Sequence, residues 1–317
     1  MALKLTPRLV FVNVLVLFVL IVVMEVISRI VLYEVYNRSF DHRLLVDNKY
    51  GNSTGMKANS EAVIWGRQLH TDALGWRKNK APLTGKKKKW LFIGDSVAEG
   101  VGVDDSSTFV SLCSDELRDY DVVNCSLIGY STADYLNVLQ DYFVKQDTSI
   151  EIVTVCYCLN DVYGASKSTE LPAIAKQNWI GKFNGWLQDN YATYRLIKLL
   201  VFKKSNRYYQ YDAAFYTARN PNFTSSMQLL KQCDSLCKER NIFLNVVLLP
   251  YRSQATGLDN EEPQALVDSF CKANAIEVSN ANEYLKKIEK PSNLYLFADE
   301  IHFSVEGHKR VAEYLTR

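Results

Sequence analysis

An excess of charge of either sign is absent from this chain, and histidine is rare. The 37 Lys and Arg residues nearly balance the 35 Asp and Glu residues, so the formal net charge is only +2. A net charge this small gives no reason to expect nucleic acid as a partner, and the lysine run at 86–89 is interpreted as a solvated approach to a buried strand. No Gly-rich loop that could cradle phosphate groups is visible. We therefore expect no nucleic-acid partner and no nucleotide cofactor.

Cysteine is present, but in no pattern that indicates a disulfide framework or a metal site. The seven cysteines are an odd number scattered through apolar segments, which is typical of buried free thiols. Cys156 and Cys158 are close in sequence, as are Cys233 and Cys237, but no histidine accompanies either pair. Structural zinc sites need four such ligands in defined spacing. We therefore expect no metal.

The first 36 residues are dominated by an apolar run. Residues 9–24 are apolar except for Asn13, and the apolar pattern continues beyond them. A helix needs about 20 residues to cross the ~30 Å hydrocarbon core of a bilayer. Lys4 and Arg8 precede the run, as in a signal sequence, but no small-residue cleavage site follows it. The sequence predicts an uncleaved single-pass membrane anchor over residues 1–36.

Two opposite charges lie near the end of this run. Glu25 and Arg29 are four residues apart on one helical face, so we expect them to pair or to extend toward the membrane boundary. Basic residues flank the run on both sides, and their distribution does not determine the orientation of the anchor.

The remainder of the chain divides into a turn-rich segment and a segment of alternating strands and helices. Residues 37–88 are polar and glycine-rich, which predicts a juxtamembrane linker with some local structure. From residue 89 to 317, β-branched runs alternate with helical patterns, which predicts an α/β fold: a mostly parallel sheet in a three-layer α/β/α sandwich. The predicted strands lie near 90–93, 121–125, 151–157, 242–249 and 275–278, and the helices near 107–118, 132–146, 225–240, 261–273 and 304–316.

An insertion at about 162–224 interrupts this alternation. It contains a predicted helix near 190–203 and many aromatic residues, among them Trp179, Phe183, Trp186, Tyr191, Tyr194 and Phe202. We interpret the aromatic side chains first as core contacts of the insertion with the sheet. A substrate lid and a surface that rests on the membrane interface stay open as alternatives, because basic residues are interleaved with the aromatic ones.

Residues able to perform acyl transfer follow successive predicted strands. Ser96 follows the first strand, Gly129 the second and Asn160 the third, whereas Asp299 and His302 precede the last helix. The carboxyl ends of parallel strands meet at one edge of the sheet, so these residues are expected to converge. A serine hydroxyl becomes a nucleophile when an imidazole takes its proton and a carboxylate orients that imidazole. We predict Ser96 as nucleophile, His302 as base and Asp299 as its orienting acid.

The tetrahedral intermediate of such a reaction needs hydrogen-bond donors for its oxyanion. The N–H groups of Ser96 and Gly129 and the side-chain amide of Asn160 are suited to this role. Glycine at position 129 is interpreted as allowing a close approach of the backbone.

The motifs that contain these residues occur in the order found in the SGNH (GDSL-type) hydrolase family. They are Gly94-Asp95-Ser96, the segment from Val123 to Ser131, Leu159-Asn160-Asp161 and the segment from Asp299 to His308. The chain resembles this family over about residues 89–317, most closely its membrane-anchored bacterial type. The resemblance implies the SGNH hydrolase fold with a flavodoxin-like sheet, and a cofactor-independent esterase or acyltransferase that uses Ser96, His302 and Asp299.

Two positions depart from the family pattern. Cys158 occupies a place where the family usually has glycine, and Val97 one where leucine is common. We expect Cys158 to narrow the pocket or to make activity sensitive to thiol reagents, and Val97 to change little.

Competing assignments exist for several of these residues. Ser131 lies in Gly129-Tyr130-Ser131-Thr132-Ala133, which is similar to a nucleophile elbow, but this alternative gives Gly94-Asp95-Ser96 no role. Asp95 and Asp161 are interpreted as structural residues, Asp95 as a turn residue or a helix cap. His308 is interpreted as a packing or surface residue, and His42 and His70 fall in the predicted linker.

The sequence thus predicts a membrane-tethered serine esterase or O-acyltransferase. Its substrate is expected to be a small-molecule or polysaccharide ester, such as an acylated cell-surface carbohydrate, and the resemblance to anchored bacterial proteins implies an extracytoplasmic catalytic domain. Two alternatives are a lipid or thioester hydrolase with an apolar acyl channel, and a non-catalytic carbohydrate-binding or scaffold protein that retains the fold.

Overall fold

The bounds of the helices and strands come from a computed structural model. It describes residues 6–85, 88–145, 149–163, 179–201 and 206–317. The helices are α1 (Pro7–Val31), α2 (Tyr33–Tyr36), α3 (Ser96–Glu99), α4 (Phe109–Glu116), α5 (Thr132–Lys145), α6 (Trp179–Asn190), α7 (Ala192–Val201), α8 (Asn206–Ala213), α9 (Pro221–Lys238), α10 (Arg252–Ala255), α11 (Glu262–Ala273), α12 (Asn282–Leu285) and α13 (Val305–Leu315). The strands are β1 (Leu45–Tyr50), β2 (Ser53–Met56), β3 (Glu61–Ile64), β4 (Arg67–His70), β5 (Lys88–Gly94), β6 (Tyr120–Asn124), β7 (Ile150–Tyr157), β8 (Phe243–Leu248) and β9 (Glu277–Asn280).

The chain forms two compact units. The smaller unit contains Met1–Asn37 and Lys176–Lys204, and the larger contains Arg38–Ala175 and Ser205–Arg317. The predicted boundaries differ from this division, because part of the insertion belongs to the unit of the N-terminal helix and residues 38–88 belong to the larger unit.

The centre of the larger unit is a parallel five-stranded sheet of order β6-β5-β7-β8-β9. This is the flavodoxin-like order, in which the direction of winding reverses between β5 and β7. The β-branched runs form these strands at nearly the predicted residues; among the surrounding helices the largest shift is the start of α9, at Pro221 instead of 225. The α/β fold class predicted from the sequence is confirmed.

Helices cover both faces of this sheet. Side chains along β5 alternate between two hydrophobic clusters: Leu91 and Ile93 belong to one cluster and Phe92 to the other. Helices α5 and α9 contribute to the first cluster, and α4 and α13 to the second. This alternation is what a strand buried on both faces requires. All seven cysteines are buried and free, as expected.

The segment at 37–88 is not the linker that its composition predicts. Its described residues form two antiparallel hairpins, β1 with β2 and β3 with β4. Buried side chains of these hairpins, including Met56 and Leu69, belong to the same hydrophobic cluster as β5. The strands are only four to six residues long, which leaves too little periodicity for detection from sequence.

In the smaller unit, α1 is long and apolar enough to cross a membrane. The predicted helix near 190–203 corresponds to α7, and a further helix, α6, precedes it, with Tyr191 between the two. Trp179, Phe183 and Trp186 are 77%, 55% and 51% exposed, which contradicts their interpretation as core contacts. Phe202 lies outside the described residues. Other aromatic residues of the predicted insertion, such as Tyr216, are buried in the larger unit.

Candidate active site

Ser96 lies at the carboxyl end of β5, next to the reversal of winding. The strand ends at Gly94, and Asp95 caps the one-turn helix α3 by accepting a hydrogen bond from the N–H of Val97 at 2.9 Å. Ser96 is therefore the first residue of a helix, and the N–H groups of a first helical turn have no acceptor within the helix. Its side chain is 7% exposed.

His302 joins Ser96 to Asp299. Its Nε2 lies 2.9 Å from Ser96 Oγ, and its Nδ1 lies 3.1 Å and 3.2 Å from the two carboxylate oxygens of Asp299. With the Nδ1 proton directed at Asp299, Nε2 is left to accept the serine proton. The structure thus brings together the three residues predicted for acyl transfer.

Asp299 is held by three donors besides the His302 ring. The N–H groups of Ile301 and His302 donate to Oδ1, each at 2.8 Å, and Arg38 donates to Oδ2 at 2.8 Å. Burial by itself would raise the pKa of Asp299, but the charge and hydrogen bonds of His302 and the Arg38 guanidinium hold that pKa well below its ordinary value. Asp299 is therefore a fixed carboxylate.

Arg38 and Trp65 were not predicted as site residues. Arg38 also donates to the carbonyl of Phe297, and its guanidinium lies 5.0 Å from the centre of the Trp65 ring. The edge of the indole meets the His302 ring, with centroids 4.6 Å apart. Both residues come from the segment at 37–88. Their distance in sequence from the four motifs gives no indication that they belong to the site. They enclose the Asp299–His302 pair.

Trp65 occupies the tip of the β3–β4 hairpin in an unusual conformation. Its φ is +52° and that of Gly66 is +74°, as in a type I′ turn. Positive φ is uncommon for a bulky residue and costs about 1–2 kcal/mol. The turn therefore holds the indole beside His302 at the expense of local strain.

Two of the predicted oxyanion donors, Ser96 and Asn160, both contact Asp95. Asn160 donates from Nδ2 to Asp95 at 2.8 Å, and the same Asp95 oxygen lies 3.4 Å from Ser96 Oγ. One amide hydrogen of Asn160 therefore stays available beside the serine. Gly129 has a φ of +85°, and a Cβ there would meet nothing within 4 Å. The left-handed backbone at Gly129 favours glycine, and the predicted close approach of this backbone to an oxyanion stays a prediction.

A buried carboxyl group supports the Gly129 loop. Glu99, at the end of α3, accepts a hydrogen bond from the N–H of Ile128 at 2.7 Å. Burial raises the pKa of Glu99 to about 7, although the nearby Arg77 and this hydrogen bond lower it. This hydrogen bond connects α3, the helix that contains Ser96, to Ile128, the residue that precedes Gly129.

A second buried carboxyl group, that of Asp212, is connected to Asn160 through the hydroxyl of Tyr251. The hydroxyl of Tyr251 lies within hydrogen-bond distance of both Asp212 Oδ2 and Asn160 Oδ1, the latter at 3.2 Å, and its single proton is donated to one of them at a time. Burial raises the pKa of Asp212 to about 7, against the lowering effect of the Tyr251 hydrogen bond. When Asp212 is protonated, it can donate to the Tyr251 oxygen and the Tyr251 hydroxyl can donate to Asn160 Oδ1, so that Asp95 and Tyr251 hold the two ends of the Asn160 amide.

Ser131 has a different environment from Ser96. Its hydroxyl and N–H both lie within hydrogen-bond distance of Asp134 Oδ2, at 3.0 Å and 2.9 Å, at the start of α5. This is the geometry of a helix cap, and the His302 ring pairs with Ser96 instead.

The remaining candidate residues support the fold. Asp161 accepts a hydrogen bond from the N–H of Cys158 at 2.8 Å, and His308 accepts one from Phe109 at 3.1 Å. Burial lowers the pKa of His308 to about 3 and raises that of the Cys158 thiol well above its ordinary value. Cys158 is only 2% exposed, and burial with a raised pKa makes its thiol less reactive than the sequence-based expectation of thiol sensitivity requires. His70 lies 2.7 Å from Asp105.

Within the described ranges, no cluster of three or more His, Cys, Asp or Glu side chains has a geometry suited to a metal ion.

The model of the family described as GDSL-like lipase/acylhydrolase matches residues 91–315. The chain belongs to this family. Ester hydrolysis is the general chemistry of GDSL hydrolases. Comparison with curated proteins found no match.

Solved structures similar to this GDSL chain include a lipolytic G-D-S-L protein from Veillonella parvula, with 12% identity, a TM-score of 0.44, and coverage of 71% of this chain and 94% of the other. A catalytic mutant of an acetylxylan esterase from Geobacillus stearothermophilus has 16% identity and a TM-score of 0.43 over 72% and 92% of the two chains. TesA has 16% identity and a TM-score of 0.43 over 72% and 97%.

Proposed function

We propose that this GDSL-family chain is a membrane-tethered serine esterase in which Ser96, His302 and Asp299 carry out acyl transfer. The observation that carries the proposal is the continuous hydrogen-bonded series from Ser96 Oγ through the His302 ring to Asp299, at the edge of the sheet where the winding reverses. In open α/β sheets this edge is where ligands bind.

In the proposed reaction, Ser96 Oγ attacks the ester carbonyl while its proton passes to His302 Nε2. Asp299 stabilises the imidazolium that forms. The oxyanion accepts hydrogen bonds from the N–H groups of Ser96 and Gly129 and from the Asn160 amide. Within the described residues, the N–H of Gly129 donates to no other group, which supports this assignment.

The intermediate then collapses, and the alcohol leaves with the proton from His302. Water attacks the acyl-enzyme in the same way: its proton passes to His302, the acid is released and Ser96 recovers its proton. If a sugar hydroxyl takes the place of water, the same acyl-enzyme gives O-acyl transfer. Residues Ser96, His302 and Asp299 serve both outcomes.

The substrate is proposed to be a small or polysaccharide ester close to a membrane, such as an acylated cell-surface carbohydrate. Support comes from α1, which we propose as an uncleaved anchor that keeps the enzyme at the membrane with an extracytoplasmic catalytic domain. An anchored esterase meets esters at the membrane surface at high local concentration.

The first test is turnover of p-nitrophenyl acetate by the detergent-purified full-length chain. We expect Ser96→Ala to lower kcat at least about a thousandfold, because the nucleophile is lost. Ser131→Ala is the matched control, since it removes a serine hydroxyl that caps α5, and we expect it to retain most of the activity. A fluorophosphonate probe should label the wild type and Ser131→Ala, but not Ser96→Ala.

The same assay separates the alternatives. Faster product release on addition of an oligosaccharide acceptor would identify a transferase, and a preference for long acyl chains would identify a lipid or thioester hydrolase. Absence of both turnover and probe labelling in the wild type would reject the esterase and leave a non-catalytic binding protein.

A further inference from the structure

A corner of the smaller unit is fixed by two charged residues of α1. The carboxylate of Glu25 accepts hydrogen bonds from the N–H groups of Ala192 and Thr193, at 2.9 Å and 3.0 Å. Arg29 pairs with Glu25 at 3.0 Å and donates to the carbonyl of Asn190 at 3.3 Å. A negative charge thus meets the start of α7 and a positive charge meets the end of α6, and each complements the helix dipole at that end.

These contacts place the α6–α7 hairpin at one end of the apolar span. Residues 9–24 of α1 rise about 24 Å at 1.5 Å per residue, and Glu25 follows them directly. If α1 crosses a bilayer, Glu25 and Arg29 lie close to the boundary of the hydrocarbon core. The α6–α7 hairpin, to which Glu25 and Arg29 are hydrogen-bonded, then lies at the level of the lipid headgroups.

The exposed side chains of the α6–α7 hairpin are of the types found at the level of the lipid headgroups. Trp179, Phe183 and Trp186 recur at helical spacing on one stripe of α6, where they are half exposed or more. On α7, Ile197 and Leu200 are also exposed. Tryptophan and other amphipathic aromatic side chains are enriched where the bilayer meets water. An apolar patch of this kind on a soluble surface would be a liability for aggregation.

Charged residues lie beside this stripe. Lys182 and Asp189 are exposed on α6, and Lys198 lies on α7, 5.8 Å from the Tyr194 ring. A polar edge next to an aromatic stripe is typical of helices that lie in the plane of the interface, with the apolar side buried about 5–10 Å into the boundary.

We propose that the α6–α7 hairpin binds the lipid bilayer surface, with the stripe of Trp179, Phe183 and Trp186 inserted at the headgroup boundary. The proposal rests on α1 being the membrane anchor. It adds a second contact with the bilayer, held to the first by Glu25 and Arg29. A helix pair fixed to the anchor in this way resists rotation of α1 about its own axis, because rotation would pull the aromatic stripe out of the interface.

The test uses single cysteines in the full-length chain, labelled with a fluorophore and reconstituted into vesicles of phosphatidylcholine and phosphatidylglycerol. Phe183→Cys reports the stripe. Asp189→Cys is the matched control on the same helix, about 120° away around its axis. Leu17→Cys reports the middle of α1. The seven native cysteines are buried, and the unsubstituted chain measures their background labelling.

Phosphatidylcholine with a doxyl group near the headgroup end of its acyl chain is then added as quencher. We expect the fluorescence at position 183 to fall at least about twofold more than at position 189, because an interfacial helix buries only its apolar side. Position 17 should be quenched most by lipid with the doxyl group near the chain end.

Quenching at 17 with equal, weak quenching at 183 and 189 would overturn the hairpin proposal and leave the anchor intact. Lack of quenching at 17 would reject the anchor and the hairpin proposal together. If position 183 is protected from iodide in solution but not quenched by doxyl lipid, protein and not lipid covers the stripe, and the proposal is wrong.

Discussion

Arg38 Nη1 lies 2.8 Å from Asp299 Oδ2, although 261 residues separate the two in sequence. The carboxylate that orients His302 is therefore shared between the imidazole and a guanidinium. Since both side chains are largely buried, the guanidinium is not simply a surface charge. It contributes to the low pKa of Asp299, and its second hydrogen bond, to the Phe297 carbonyl, fixes its own position.

Replacing Arg38 by alanine is expected to lower kcat/KM about tenfold, or ~1.4 kcal/mol. The Ile301 and His302 N–H groups still hold Oδ1, which limits the loss. Asp299 must be ionised for activity, and its pKa in the folded protein is depressed in part by Arg38. Removing Arg38 also removes a positive charge from beside the Asp299–His302 pair, which makes proton binding by the pair more favourable, so the loss of activity on acidification should begin at higher pH. The measurement is kcat/KM against pH.

Arg38→Lys is the control for charge. Lysine keeps the positive charge but lacks the planar fork that reaches Asp299 and Phe297 together, so we expect intermediate activity and an acid limb close to wild type. If Arg38→Ala has the wild-type rate and pH profile, the ion pair has no part in positioning Asp299.

A comparison of Trp65→Asn with Trp65→Ala tests the strain at the hairpin tip. Both variants lose the indole that contacts His302, so both should lose activity to a similar extent. Asparagine tolerates positive φ better than alanine, and the asparagine variant should be more stable by about 1 kcal/mol. Denaturant unfolding of the two variants measures the difference. Equal stabilities would show that the backbone at position 65 is unstrained.

Glu99→Gln is expected to flatten the dependence of stability on pH. The pKa of Glu99 is raised from 4.5 to about 7 by burial, so the folded state holds a proton that the unfolded state has released. Stability therefore falls as pH rises from about 4.5 to about 7, by up to ~3 kcal/mol for this group. Burial raises the pKa of Asp212 as well, so Asp212 also makes the folded state less stable as pH rises. The Glu99→Gln variant should therefore keep part of the pH dependence of stability. The Tm at about pH 5 and about pH 8 checks this.

Glu99→Ala tests a second role of Glu99, which is separate from its effect on the pH dependence of stability. This role is the hydrogen bond to Ile128, the residue that precedes the proposed oxyanion donor Gly129. Glutamine can still accept the Ile128 hydrogen bond, whereas alanine leaves that N–H buried without a partner. We expect Glu99→Ala to lose kcat about tenfold and Glu99→Gln to stay near wild type. Equal kcat in the two variants would contradict a role of Glu99 in holding Gly129.

Tyr251→Phe removes the hydroxyl that lies between Asn160 and Asp212. We expect kcat to fall about three- to tenfold with little change in KM, because the Asn160 amide loses one of its two fixed contacts. Tyr295→Phe is the matched control, since its buried hydroxyl donates to the main-chain carbonyl of Pro250. A similar fall in kcat for both variants would indicate a general packing effect.

The sheet and the meeting of Ser96 with His302 could be predicted from sequence because local signals specify them. Strands β5, β7 and β8 are formed by mostly apolar runs, and Ser96 and Asn160 lie two and three residues after the ends of β5 and β7. Asp299 and His302 are three residues apart, so one turn is enough to bring them together.

Arg38 and Trp65 could not be predicted in the same way. Their contacts depend on the packing of hairpins whose strands are too short to show periodicity, and on a positive φ at a tryptophan, which composition does not reveal. The exposure of the aromatic stripe of α6 could not be predicted for a related reason: helical spacing of aromatic residues is the same whether the stripe faces a protein core or a lipid interface.

The segment at 37–88, which contains the β1–β2 and β3–β4 hairpins, also bears on which substitutions can change the proposed activity. The family match begins at residue 91, yet Arg38 and Trp65, which surround the acid–base pair, precede it. Substitutions at these two positions can retune proton transfer while all four motif segments stay unchanged. For the proposed mechanism this means that residues 91–315 alone would carry the proposed nucleophile and base without Arg38 and Trp65, which contact Asp299 and His302.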